Sequence, residues 1–151
     1  MESVPEPESP DPVELATRAL RHRDRSAHEI DERLERAGVD EAARAEALAT
    51  LARLGYVDDE RFARTRAEAL AGRGQGDRAI RFDLRRHGVD GETADAAIDA
   101  LEPELVRGRK IVERRGATPR TARHLAAKGF SREAIDAALG EGLASEGAEA
   151  V

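Results

Sequence analysis

The chain has 151 residues, of which 37% are charged and only 3% aromatic, with no tryptophan. Any core must come from Leu, Ile, Val and Ala, which suits a row of small helical units better than one large globule. The absence of cysteine excludes disulfides, thiolate metal sites and cysteine nucleophiles, and no apolar run approaches the roughly 20 residues of a membrane span.

These features suit a reducing cytoplasm, and the acidic start "MESVPEPESPDP" does not read as a signal peptide. The net charge of −6 is unevenly placed. Residues 1–14 hold Glu2, Glu6, Glu8, Asp11 and Glu14, and residues 133–151 hold Glu133, Asp136, Glu141, Glu146 and Glu149, with no Lys or Arg in either stretch. Removing these ten acids leaves 31 − 10 = 21 against 25 basic residues, so 15–132 carries +4. A basic body with acidic ends is compatible with a polyanionic partner or filament.

In chain order, 1–10 read as a disordered acidic tail. Asp11-Pro12 then opens a helix, with Asp as its cap and Pro in its first turn. Ser26 to Glu29, "SAHE", is a capping box. From there almost everything reads as helix, with no sustained alternation of β-branched residues and hence no sheet.

The chain also repeats itself. Aligning Gly38, Gly88 and Gly129 places Leu34, Leu84 and Leu125 four residues before each glycine. Val39, Val89 and Phe130 follow directly, then Asp40, Asp90 and Ser131. The glycine supplies a positive φ to end one helix, and the Asp or Ser caps the next. Each unit thus begins as a helix, a glycine turn and a second helix. A third helix is expected at about 58–72 in the first unit and within 102–115 in the second. Thr118-Pro119 opens the third unit, whose last helix is expected to be short or missing. The predicted organisation is therefore 11–72 for the N-terminal helix and first repeat, 73–116 for the second, 117–143 for the third and 144–151 as a disordered tail.

Candidate chemistry is sparse. Asp58, Asp59 and Glu60 are adjacent, but successive helical positions diverge by about 100° and do not converge on one ion. They read better as a helix start, with Asp58 as cap and Val57 and Phe62 at the positions of a hydrophobic staple. His22, His28, His87 and His124 form no metal-binding pattern. "GRGQGDR" lacks the GK[ST] of a phosphate loop and follows a helix, so it reads as a linker. No catalytic residue, cofactor site or metal site is expected.

The basic residues are the better candidates. Arg78, Arg81 and Arg85 share one face of a helix starting near Asp77, Arg86 flanks it, and Arg73 lies just before it. Arg109, Lys110 and Arg114 lie on the helix within 102–115. Arginines can hold phosphates or carboxylates bidentately. These eight residues are the candidate partner-binding set, although Phe82 is the one aromatic among them and base stacking is poorly served.

Three segments, taken in order, resemble the RecX family of bacterial regulators. "RHRDRSAHEIDERLERAGV" resembles its opening R-x-R-S-x-x-E-L-x-x-x-L-x-x-x-G, and "LARLGYVDDERFAR" resembles its L-x-x-x-G-hydrophobic-x-D-D-x-x-F-A signature. "GRGQGDRAIRFDLRRHGVDGETADAAIDAL" is similar to its G-x-x-x-I-x-x-x-L-x-x-x-G-I segment. The resemblance spans about residues 15–140. It implies an all-α fold, an elongated, curved array of three tandem three-helix repeats preceded by an N-terminal helix. It implies a non-enzymatic regulator of DNA repair and recombination and of the SOS response, acting as a monomer. The implied partner is the RecA recombinase filament on single-stranded DNA, in whose groove such proteins lodge and inhibit strand exchange, ATP hydrolysis and repressor cleavage, or promote filament loss. The other reading of the arginine faces is a helical-repeat protein that binds DNA directly. One departure is local: the family places an aromatic within a turn after its F-A pair, whereas Arg64, Thr65, Arg66 and Ala67 follow Phe62-Ala63 here.

Overall fold

Capping side chains open most of the helices. Asp11 accepts from the Val13 amide at 3.1 Å, Asp40 from Ala43 at 2.8 Å and Asp90 from Thr93 at 2.8 Å. Thr118 accepts from Thr121 at 3.2 Å and Ser131 from Ala134 at 3.1 Å. Ser26 forms the full capping box: its hydroxyl accepts from the Glu29 amide, and the Glu29 carboxylate accepts from the Ser26 amide, both at 3.2 Å. Each such bond satisfies an N–H that the first helical turn leaves without a partner.

The computed structural model describes residues 3, 4 and 10–149, with side chains through 140. Among these residues there are nine helices and no strand. They are α1 (Pro12–Leu20), α2 (Ala27–Arg36), α3 (Glu41–Arg53), α4 (Asp59–Gly72), α5 (Asp77–Arg86), α6 (Gly91–Asp99), α7 (Glu104–Arg115), α8 (Pro119–Ala127) and α9 (Arg132–Glu149). None is long and apolar enough to cross a membrane.

The repeated glycine turns share one geometry. Gly38, Gly88 and Gly129 have φ of 84°, 78° and 89°. The next amide reaches back to the repeated leucine: Val39 to Leu34 at 3.0 Å, Val89 to Leu84 at 3.0 Å and Phe130 to Leu125 at 3.1 Å. This is the bond pattern of a Schellman ending. The same three leucines are almost fully buried, so one side chain and its carbonyl anchor both the core and the turn.

Three cores follow, each built from three helices. Ala16, Ala19, Ile30, Leu34, Ala47, Leu51 and Val57 form the first, over α1–α3. Phe62, Ala63, Ala67, Leu70, Ile80, Leu84 and Ile98 belong to the second, over α4–α6. Ile111, Val112, Leu125, Phe130, Ile135 and Ala138 form the third, over α7–α9. The grouping therefore begins one helix earlier than the glycine alignment suggests: α4 shares a core with α5 and α6. Val57 and Phe62, the expected staple, divide between the first and second cores.

By backbone proximity the chain forms two compact units, Met1–Asp59 and Glu60–Val151. Within the second unit, α5 is seated on the α8–α9 turn. Its capping position is Gly76, which has no side chain to offer. The Gly76 amide donates to the Lys128 carbonyl at 2.9 Å, and the Arg78 amide to the Gly129 carbonyl at 3.2 Å. Arg107 secures the same junction. Its guanidinium donates to the Gln75 carbonyl at 2.9 Å, to the Glu102 carbonyl at 2.8 Å and to the Asp77 carboxylate. It also lies 5.9 Å from the centre of the Phe130 ring.

α9 runs to Glu149, across the stretch 144–149 expected to be tail, and no further helix follows among the described residues. Most of the expected N-terminal tail lies outside them.

Candidate partner interface

The arginines of α5 occupy the arc left over by core formation. Ile80 and Leu84 are fully buried, which turns Arg78, Arg81, Phe82, Arg85 and Arg86 outward. Their neighbours then divide them. Arg81 pairs with Asp95 of α6, Nε to Oδ1 at 2.9 Å. The Arg85 guanidinium lies beside Gly91, at the start of α6. Arg78 and Arg86 stand one turn either side of Phe82 and face the α8–α9 turn.

There the three residues line a groove of about 550 Å³ together with Gln75, Asp83 and Lys128. Phe82 is 67% exposed, whereas Phe62 and Phe130 are buried. Asp83 is held by Arg66 of α4 in a two-pronged pair, Nε to Oδ1 at 2.7 Å and Nη2 to Oδ2 at 2.9 Å. The hydrogen bonds from Arg66 keep the Asp83 carboxyl below its ordinary range, against the opposing effect of its partial burial. The groove wall therefore carries a fixed negative charge already matched by a cation.

The remaining candidates fall elsewhere. Arg73 is exposed just after α4, and Arg109 is half-buried on α7. Lys110 pairs with Glu102 at 2.8 Å. Lys110 and exposed Arg114 line a second hollow of about 340 Å³ that also includes Glu68 and Glu102. The structure thus gathers Arg78 and Arg86 around one groove and Lys110 and Arg114 around a mixed-charge hollow. It engages Arg81 and Lys110 in ion pairs. Reasoning from sequence left Phe82 and Lys128 out of the candidate set. The signal for Phe82 is its place on the polar arc of α5, away from Ile80 and Leu84.

Within the acidic triplet, Asp59 has structural work. Asp58 stands at the cap position of α4, whose first helical residue is Asp59. The Asp59 carboxylate accepts from the Ala27 amide at 2.8 Å, the first helical residue of α2. Among the described residues, no group of three His, Cys, Asp or Glu side chains is placed to hold a metal ion.

Comparison with known proteins agrees with this architecture. A family model described as "RecX, second three-helix domain" matches residues 58–98, the stretch that holds α4–α6. Regulatory protein RecX of Acidithiobacillus ferrooxidans is 38% identical over 143 residues, covering 89% of this chain and 93% of that protein. Regulatory protein RecX of Stenotrophomonas maltophilia is 32% identical over 135 residues, covering 86% of this chain and 83% of that protein. The crystal structure of RecX from Lactobacillus salivarius superposes with a TM-score of 0.76 over 86% of this chain and 93% of that one, at 20% identity, a likeness of fold. Residue identity spread over nearly the whole length, on three tandem three-helix cores, places the chain in the RecX family.

Proposed function

We propose that the protein is a non-enzymatic regulator that binds the RecA filament on single-stranded DNA in the cytoplasm, as a monomer, and inhibits its strand-exchange, ATPase and coprotease activities. The observation that carries this reading is the 38% identity to a named regulatory protein over 89% of the chain. Supporting it, the Asp59 carboxylate is taken up by the Ala27 amide at the start of α2. The exposed basic positions of the second unit offer a surface for an anionic partner.

The test is to add the purified chain to preformed recombinase filaments below stoichiometric ratio. The rate of ATP hydrolysis should fall, and the chain should sediment with the filaments. Unchanged hydrolysis together with a chain left in the supernatant would sink the reading. A second reading, direct action on nucleic acid, is favoured by Phe82 lying between Arg78 and Arg86. It predicts binding to bare single-stranded DNA that weakens steeply with salt as counterions are released.

A further inference from the structure

Resting on the filament-regulator reading, we infer that the groove between α5 and the α8–α9 turn is where this chain takes its protein partner. Its occupant is an extended segment of that partner bearing a carboxylate beside an apolar side chain.

Four observations converge on this occupant. First, Phe82 is one of only three phenylalanines in the chain, and it alone is exposed. An exposed phenylalanine with arginine on either side matches the residue types enriched in protein–protein interfaces. Second, Arg78, Arg86 and Lys128 ring the groove and form no ion pair among the described residues, in contrast to Arg81, Lys110 and Arg107. Three cations face one carboxylate that Arg66 already matches, so the groove favours an anionic guest. Third, Ala79 and Ala127, whose side chains are a single methyl, are among the residues lining the groove, so little side-chain bulk there stands in the way of a main chain. Fourth, the Asp83 carboxylate on the wall is bonded by Arg66 but keeps lone pairs that can accept from the N–H groups of an extended peptide, donors that a phosphate backbone does not offer. Binding of single strands usually stacks successive bases on several rings, and this groove has one.

The backbone at the groove edge is closely packed. A Cβ on Gly129 would lie 2.5 Å from the Ala79 side chain, and the Arg78 amide is bonded to the Gly129 carbonyl. The backbones that carry Arg78 and Lys128 are thus held against each other, which fixes where the two side chains start on the groove edge.

The experiment uses the full chain with Phe82→p-benzoylphenylalanine, irradiated with recombinase filaments on single-stranded DNA and analysed by mass spectrometry. Co-sedimentation of wild type, Phe82→Ala, Arg86→Glu and Arg53→Ala runs in parallel, with circular dichroism confirming helicity. The expected result is a crosslink to an Asp- or Glu-containing recombinase peptide. Filament affinity should fall about tenfold for the Phe82 and Arg86 variants and stay unchanged for Arg53→Ala. A crosslink to DNA instead overturns the peptide assignment in favour of nucleic acid. Unchanged affinity of both groove variants, while wild type still sediments with filaments, overturns the groove and leaves the regulator reading standing. Wild type that fails to sediment with filaments overturns both.

Discussion

The amide of Gly76 donates to the carbonyl of Lys128 at 2.9 Å, seating the start of α5 on the α8–α9 turn. A Cβ on Gly76 would lie 2.4 Å from the Phe130 amide nitrogen, and one on Gly129 would lie 2.5 Å from the Ala79 Cβ. Backbone atoms cannot yield as a flexible side chain does. Gly76→Ala should therefore lower stability by about 1–3 kcal/mol through overpacking. Gly129→Ala should cost more, because its φ of 89° is also unfavourable for alanine. Urea unfolding checks both, and Gly72→Ala, with open space around its added methyl, is the control expected to hold wild-type stability.

Arg107 reinforces the same junction through geometry as well as charge. Its guanidinium reaches the Gln75 and Glu102 carbonyls and the Asp77 carboxylate at once. Arg107→Ala should destabilise by about 2–4 kcal/mol, since partners of a charged donor lose their bonds together. Arg107→Lys should recover little of this, because a point-like ammonium cannot serve three acceptors in that fan. Thermal unfolding of the two variants tests the claim; full rescue by lysine would count against it.

The Arg66–Asp83 pair makes stability depend on pH. Asp83 is depressed below its unfolded value of about 3.9. As pH falls, the unfolded chain takes up the Asp83 proton before the folded chain does. The pair's contribution is present above the unfolded pKa and is lost as pH drops through the folded one. Asp83→Asn should cost about 1–2 kcal/mol at neutral pH, a discounted figure because Arg66 is partly exposed. The difference in unfolding free energy between wild type and variant should shrink progressively below about pH 5.

Asp59 separates a structural role from a metal-binding one. Its carboxylate oxygen accepts from the Ala27 amide, next to a Ser26 side chain that is itself fully buried and caps Glu29. Asp59→Ala and Ser26→Ala should each lower stability by about 1 kcal/mol. Asp59→Asn keeps an acceptor and should lose much less. If a divalent cation raised the melting temperature of wild type but not of Asp59→Asn, the carboxylate would be a ligand instead.

The helix starts and stops were legible in the sequence because they are short-range. A Ser, Asp or Thr oxygen bonds an amide two or three residues on, and a glycine with positive φ ends a helix whatever lies beyond it. The division of α5 was not legible. Arg78, Arg81 and Arg85 lie on one arc by spacing alone, and only the position of Asp95 turned Arg81 into an ion pair and left Arg78 at the groove.

The partition into three-helix cores has the same origin. The repeated leucines and glycines determined by themselves that the chain is a series of capped, glycine-turned helices, because local hydrogen bonds and backbone sterics suffice for that. The sequence also carried enough residue identity to place the chain in its family. Only the tertiary structure decided that α4 joins α5 and α6, that Val57 and Phe62 enter different cores, and that Phe82 stands exposed between two arginines beside Lys128. Each of those depends on apolar burial and charge pairing between residues far apart in the chain, which no local pattern encodes.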